Sequence, residues 1–322
     1  MSIDLASLAD KARRFAAPLA EALPPTPTER IVWNGRTLWI KREDLQETGS
    51  FKVRGALVRL ASIDWAILRF GVVTASHGNH GLGLAWAAGR LGTLATIVVP
   101  NDTPRVKCDG IRALGAELVV HDAPGYDAAE REARRLATER NATFVSAFDD
   151  PWVQAGNGGT VALEIMEQVP TAGRIVVPVG GGGIASGLAA VIRTTWPLID
   201  VWGVQSEACP SMAASIRDGR AHLVWEGGPT YAEGLEGGVA ESTFAICRRE
   251  LVGVPLVSEA AIARAMTHAR RAHGLRLEGC AAVVLAAVDE GVVPCDEDTV
   301  VVLTGSNVDD AVLDRAAAEA DA

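Results

Sequence analysis

Ile175-Val176-Val177-Pro178-Val179-Gly180-Gly181-Gly182-Gly183-Ile184 runs an apolar stretch straight into four glycines. The β-branched residues read as a buried strand over 174–179, and residues 184–194 carry a helical pattern. A strand that ends in glycines and opens a helix aims backbone amides at an anion such as a phosphate. Only glycine lets several consecutive amides turn toward one ligand without side-chain clash. A plain tight turn would need fewer.

The same alternation extends along the chain. Residues 71–76, 94–99, 117–121 and 143–147 read as strands. Between them, 79–91 is helical and stops at Gly92, 104–114 is helical and stops at Gly115, and 127–140 carries Glu/Arg pairs at helical spacing. Further on, 160–168 reads as a helix, 201–204 as a strand, and 299–303 as a strongly β-branched strand ending at Thr304-Gly305-Ser306-Asn307. Residues 226–238, rich in Gly, Glu and Pro, read as a loop. Strict alternation of strand and helix predicts an α/β fold with parallel sheets covered by helices. Two such series without a linker predict two lobes, each an open, mostly parallel sheet flanked by helices. The smaller lobe is expected at 64–148, and the larger at 1–63 with 149–322. Ligands in such sheets bind beyond the carboxyl ends of the strands, where the glycine run and Thr304 both fall.

Composition narrows the class. With 48% hydrophobic and 22% charged residues, the chain has the make-up of a soluble globular protein. A net charge of −10 argues against nucleic acid or an anionic membrane surface as partner. No apolar run reaches the roughly 18 residues of a membrane span. Residues 1–14 mix Asp and Arg and lack a signal-peptide core. The five cysteines form no Cys-x-x-Cys pair, so neither a disulfide framework nor a zinc site is expected, and a reducing cytoplasm is the expected compartment.

Thr48-Gly49-Ser50-Phe51-Lys52-Val53-Arg54-Gly55-Ala56 sets a lysine among small and apolar residues, at the start of a predicted helix over 51–60. A lysine that attacks a carbonyl must be neutral, and burial or a cationic neighbour brings it toward that state. Arg54 is close in sequence, but it lies two residues on, a spacing that leaves it free to point elsewhere. A neutral lysine together with a phosphate cradle is what holds pyridoxal phosphate as a Schiff base. The rival reading is a dinucleotide site, since Gly180-x-Gly182-x-x-Ala185 matches that fingerprint. Its acidic ribose partner would be Glu207, which comes late, and Lys52 would have no role.

Ala75-Ser76-His77-Gly78-Asn79-His80-Gly81 closes a strand and opens a helix. The Ser76 hydroxyl and the first amides of that helix suit a carboxylate, and Asn79 can hydrogen-bond a ring hydroxyl. Simple helix capping by Ser and Asn is the plainer alternative. Thr304 offers a neutral hydroxyl at a strand end, and Glu278 opens an apolar helix.

Three stretches now stand together: Leu38-Trp39-Ile40-Lys41-Arg42-Glu43-Asp44-Leu45-Gln46-Glu47-Thr48-Gly49-Ser50-Phe51-Lys52, Val177-Pro178-Val179 with its glycines, and Val302-Leu303-Thr304-Gly305-Ser306-Asn307. In this order they resemble the threonine dehydratase and serine racemase group of fold type II pyridoxal-phosphate enzymes, over nearly the whole chain. The resemblance implies that Lys52 holds the cofactor and later removes the α-proton. It implies that Phe51 packs near the ring, that Gly180, Gly181, Gly182, Gly183 and Ile184 bind the phosphate, and that Thr304 meets the pyridine nitrogen. Asn79 and Glu278 are expected near the cofactor, and Ser50, Ser76, His77, Gly78, Asn79 and His80 around the substrate. The implied reaction removes the β-hydroxyl of a small amino acid such as L-threonine or L-serine, giving a 2-keto acid and ammonia. A cytoplasmic homodimer is implied.

Alternatives stay open. Lys52 and His77 on opposite faces of a substrate would make an amino-acid racemase. A bulkier β-hydroxy amino acid, such as phenylserine or 3-hydroxyaspartate, would make a dehydratase of other specificity. A cysteine-synthase type usually carries threonines in its phosphate loop. A non-catalytic binding protein would have no use for Lys52. The resemblance also carries departures. His77 stands where the group more often has serine or alanine. Gln205, Cys209 and Ser211 stand where some members hold a divalent metal, so no metal is expected. The chain ends soon after Asn307, so no regulatory domain is expected.

Overall fold

A computed structural model describes residues 4–101, 103–123 and 125–321. Ten strands form two sheets. They are β1 (Thr28–Trp33), β2 (Arg36–Arg42), β3 (Val72–Ala75), β4 (Ala95–Pro100), β5 (Glu117–His121), β6 (Thr143–Phe144), β7 (Arg174–Pro178), β8 (Asp200–Ser206), β9 (Leu256–Val257) and β10 (Thr299–Leu303). The larger sheet has the order β1-β2-β10-β7-β8-β9, and the smaller β5-β4-β3-β6. Apart from the β1–β2 hairpin every pairing is parallel. The parallel arrangement explains why β7 and β10 read as unbroken apolar runs, for helices cover both faces.

The α/β class and the strand–helix alternation are as the sequence predicts. The helix Asn79–Leu91 falls on its predicted bounds, and Thr160–Gln168 is helical over its predicted residues. No helix among the described residues is long and apolar enough to cross a membrane.

Two local readings need correction. The strand predicted over 143–147 ends as β6 at Phe144. Val145 still donates to the Val73 carbonyl, but Ser146 then turns the chain, its hydroxyl accepting from the Asp149 amide at 3.0 Å. That turn brings Ala147 and Phe148 into the cleft between the sheets.

The helix predicted to start at Thr160 is the continuation of a longer rod. It begins with Pro151–Gln154 and passes through a π turn, Ala155–Gly159. Propensity argues against helix at Gly156-Asn157-Gly158-Gly159, but close packing requires these residues. A Cβ on Gly156 would lie 2.7 Å from the Gly55 Cα, and one on Gly158 would lie 1.9 Å from the Ile184 carbonyl oxygen. Asn157 accepts the Gly55 amide at 2.8 Å. The helix Lys52–Ala61 and the helix Gly183–Thr195 therefore both rest on this turn.

The core of the smaller sheet is not closed by its own lobe alone. Leu19, Leu23, Val53, Leu60 and Val153 pack with Leu84, Ile97 and Ile111 in one buried cluster.

Candidate active site

A cavity of about 300 Å³ opens where the carboxyl ends of β3, β6, β7 and β10 converge. Lys52 is the first residue of its helix, and its Nζ donates to the Ala147 carbonyl at 3.3 Å. The nitrogen lies 5.1 Å from the centre of the Phe51 ring. Burial lowers the Lys52 pKa to about 8, against Cys280 and Glu278, which act to raise it. Arg54 plays no part in that shift and does not line the cavity. Its guanidinium is buried between Glu43 (2.7 Å from Nε) and Glu164 (2.5 Å from Nη1). Lys41 joins the same network, 2.6 Å from Glu164. Two buried cations balance two carboxylates beneath the helix that presents Lys52.

The glycine run forms a bare concavity. Gly182 has φ +88° and precedes the helix Gly183–Thr195, whose first amides have no intrahelical acceptor. A Cβ on Gly181 or Gly183 would lie 2.7 or 2.8 Å from Phe148, and one on Gly182 would lie 2.8 Å from Met212. On Gly180 it would lie 3.0 Å from the Leu235 Cα. Thr243 donates to the Gly181 carbonyl at 2.6 Å, which turns the Gly182 N–H the opposite way across the planar peptide. Ile184 and Thr304 are buried and line the same cavity.

On the β3 side, Ser76 is a cap as well as a cavity residue. Its hydroxyl oxygen accepts from the Gly78 and Gly81 amides, each at 2.9 Å. Only its proton is left for a ligand, so its expected place around the substrate is reduced to one donor. Asn79 is held at both ends. Its Nδ2 donates to both oxygens of Glu278 at 2.8 and 3.0 Å, and its Oδ1 accepts from Asn307 at 2.8 Å. A ring hydroxyl reaching Asn79 has to share that amide with Glu278. Burial raises the Glu278 pKa, opposed by Lys107 and Asn79. His80 is buried beside Lys52, and burial, with the Lys52 charge, lowers its pKa to about 3. It is a neutral imidazole at physiological pH.

His77 and Gly78 also line the cavity, and the His77 ring lies 6.3 Å from that of Tyr126, which in turn lies 6.3 Å from Phe148. Ser50, expected around the substrate, is not brought to the cavity wall. It is fully buried in a backbone bridge to Gly305.

Sequence reading missed Lys107, Tyr126, Phe148 and Cys280, all of which line the cavity, while Glu233 and Leu235 belong to a loop, 229–238, that resembles the family segment beside the active site but whose side chains the sequence does not place. Lys107 could have been suspected from its place just after a strand end. The others are brought in by tertiary packing alone.

At the expected metal positions, Gln205 accepts from the Ala213 amide at 2.9 Å and lies 3.4 Å from the Ser211 hydroxyl. Burial raises the Cys209 thiol pKa. No group of three His, Cys, Asp or Glu side chains suited to a metal occurs among the described residues.

A buried amine of lowered pKa shares a cavity, at the mouth of parallel strands, with a glycine run on which any Cβ would collide with packed neighbours. These residues fit pyridoxal phosphate, for which Lys52 would serve the aldehyde and glycines 180–183 the phosphate. The fold and site are those of a pyridoxal-phosphate enzyme of fold type II. The family described as "Pyridoxal-phosphate dependent enzyme" matches residues 20–305, and the chain belongs to it. The dinucleotide reading of the glycine run falls with that membership.

The chain is similar to the L-threonine ammonia-lyase of Thermotoga maritima, 40% identical over 282 residues, covering 87% of this chain and 70% of the relative. Among solved structures it resembles the processed form of threonine deaminase isoform 2 from Solanum lycopersicum. There the TM-score is 0.89 at 32% identity, over 99% of this chain and 95% of the other. It also resembles serine racemase from Dictyostelium discoideum, with TM-score 0.82 at 32% identity, over 94% and 98%.

Proposed function

We propose that this enzyme eliminates the β-hydroxyl of L-threonine or L-serine, releasing a 2-keto acid and ammonia. The observation that carries the reading is Lys52, a buried amine with its pKa lowered to about 8, poised between the glycine cradle and the Asn79 helix. Pyridoxal phosphate, when bound, supplies an electron sink for the pair left on the substrate Cα. Glycines 180–183 and Ile184 would hold the phosphate, and Phe51 would pack beside the ring. The first turn of the helix Asn79–Leu91, the Ser76 proton and Gly78 hold the α-carboxylate. Lys52 takes the Cα proton, which its lowered pKa allows near neutral pH. His80 stays neutral and serves as packing beside the lysine, not as an acid. Thr304 would offer the ring nitrogen a hydroxyl and no carboxylate, an arrangement that would suit loss of the β-substituent. For L-threonine the organic product is 2-oxobutanoate, water being lost and then taken up as ammonia leaves.

The relatives named above support this choice of substrate. The test is absorbance of the purified protein before and after L-threonine or L-serine, with 2-keto acid measured alongside. A cofactor band that ignores both, with no 2-keto acid, sinks the reading.

A second activity, racemisation, is favoured by one observation: an imidazole, His77, lines the same cavity as Lys52. Replacing His77 with Ala separates the two, since racemisation would be lost while elimination persists. The family resemblance implies a cytoplasmic homodimer in which 64–148 forms the smaller, carboxylate-binding lobe. The five cysteines are unpaired, which suits a reducing compartment.

A further inference from the structure

We propose that Lys107 is a substrate-positioning residue, its ammonium sharing the α-carboxylate with the first turn of the Asn79 helix while Glu233 is the counterion it exchanges. This rests on the amino-acid-binding reading of the cleft given above. Lys107 lies in the helix Arg105–Ala113, which follows β4 of the smaller sheet. Its Nζ pairs with Glu233 Oε1 at 2.8 Å, and Glu233 belongs to the 226–238 loop on the other side of the cavity.

The lysine stem crosses the end of the Asn79 helix. A Cβ on Gly78 would lie 2.3 Å from Lys107 Cδ and 3.2 Å from its Cε. Gly78 also has φ +144°, so this position is kept bare for two independent reasons. The ammonium, one bond beyond Cε, is thereby held beside the helix end that opens on the cavity.

Three groups face that ammonium: Glu278, Glu233 and Cys280. Glu278 is committed to Asn79 through both oxygens. Burial pushes the Cys280 thiol far up, so it stays neutral. Glu233 is the partner free to leave. Its side chain is 46% exposed and that of Lys107 only 7%, so the carboxylate can turn to water and the ammonium cannot follow. An incoming carboxylate replaces Glu233 and keeps the buried cation paired. A neutral amide or ester in its place leaves that cation with Glu278 alone, whose oxygens are already committed to Asn79. Lys107 therefore selects free amino acids over their amides.

The test uses holoenzyme and L-alanine, which carries the shared α-amino and α-carboxylate groups and nothing to eliminate, with L-alaninamide as control. Absorbance of the Lys52-bound cofactor checks that each variant is folded and loaded. Lys107→Met should weaken L-alanine binding by about tenfold or more, the loss of one charge-assisted contact, and should erase the preference over L-alaninamide. Lys107→Arg should restore most of both. Glu233→Gln should bind L-alanine at least as tightly as the wild type. Equal weakening by Lys107→Met and Glu233→Gln would mean that the pair is only a strap across the cleft, and would overturn the proposal. An unchanged affinity in Lys107→Met would overturn it as well. If this pattern appears while L-threonine is not turned over, Lys107 keeps its role and the dehydratase reading fails alone.

Discussion

The Lys52 ammonium donates to the carbonyl of Ala147 at 3.3 Å, so the catalytic amine is tied to the turn that ends β6. An amine in that place attacks a carbonyl only when neutral. Because burial lowers its pKa to about 8, the rate at which apoprotein takes up pyridoxal phosphate should rise through about pH 8 and level off above it. Lys52→Ala should show neither the bound-cofactor band nor turnover. Stopped-flow absorbance across pH measures the first point, and uptake that falls as pH rises would contradict it.

Gly181→Ala places a methyl 2.7 Å from the Phe148 ring. Cofactor affinity should drop by roughly tenfold or more, as expected for about 1–3 kcal/mol of overpacking in a rigid site. The double variant Gly181→Ala with Phe148→Leu should recover part of the loss. Equilibrium dialysis against pyridoxal phosphate reads both. No recovery would mean that the clash is not with Phe148.

Arg54→Met leaves Glu43 and Glu164 buried with one cation, Lys41, between them. Breaking a buried network from one side costs about 3–5 kcal/mol. Urea denaturation of the apoprotein should show that loss. A change under about 1 kcal/mol, the scale of an exposed pair, would show that water reaches the network.

His80 has its pKa lowered from the ordinary 6.5 to about 3 by burial and by Lys52. The unfolded chain therefore binds a proton that the folded one refuses between those values. Stability rises with pH across that window and falls as pH drops from about 6.5 toward 3. His80→Gln, neutral throughout, should flatten part of the fall in a thermal melt series. An identical slope would remove His80 from the account.

EDTA should leave turnover unchanged, and added Mg²⁺ should not raise the melting temperature. Gln205 already uses its carbonyl on the Ala213 amide, and Ser211 and Cys209 offer no carboxylate. A chelator-sensitive enzyme would show that the cation is held elsewhere.

Much of this was legible in the sequence where chemistry and periodicity are local. Lys52 among small residues, the glycine run after β7 and the Asn79 helix with Gly92 at its end are short patterns whose meaning sharpens when they are read together. Errors and open points came where a distant element decides. The direction of Arg54, two residues from Lys52, stays open in the sequence, and Glu43 and Glu164 decide it by drawing its charge into the core. Ser50 looks available in the motif, yet Gly305 covers it. Ser146 stops β6 early because its hydroxyl makes a turn that no strand propensity signals. Lys107 and Glu233 meet across a separation of 126 residues that no local pattern encodes.

The π turn Ala155–Gly159 touches the lysine helix on one side and the phosphate helix on the other, through Asn157 to Gly55 and through Gly158 to Ile184. It therefore works as a caliper whose jaws are the amine and the anion site. A cofactor held at both jaws would have its span gauged by a segment that does not line the cavity. A methyl added at Gly158 would open the jaws and register as failed cofactor retention, though every residue around the cavity were intact.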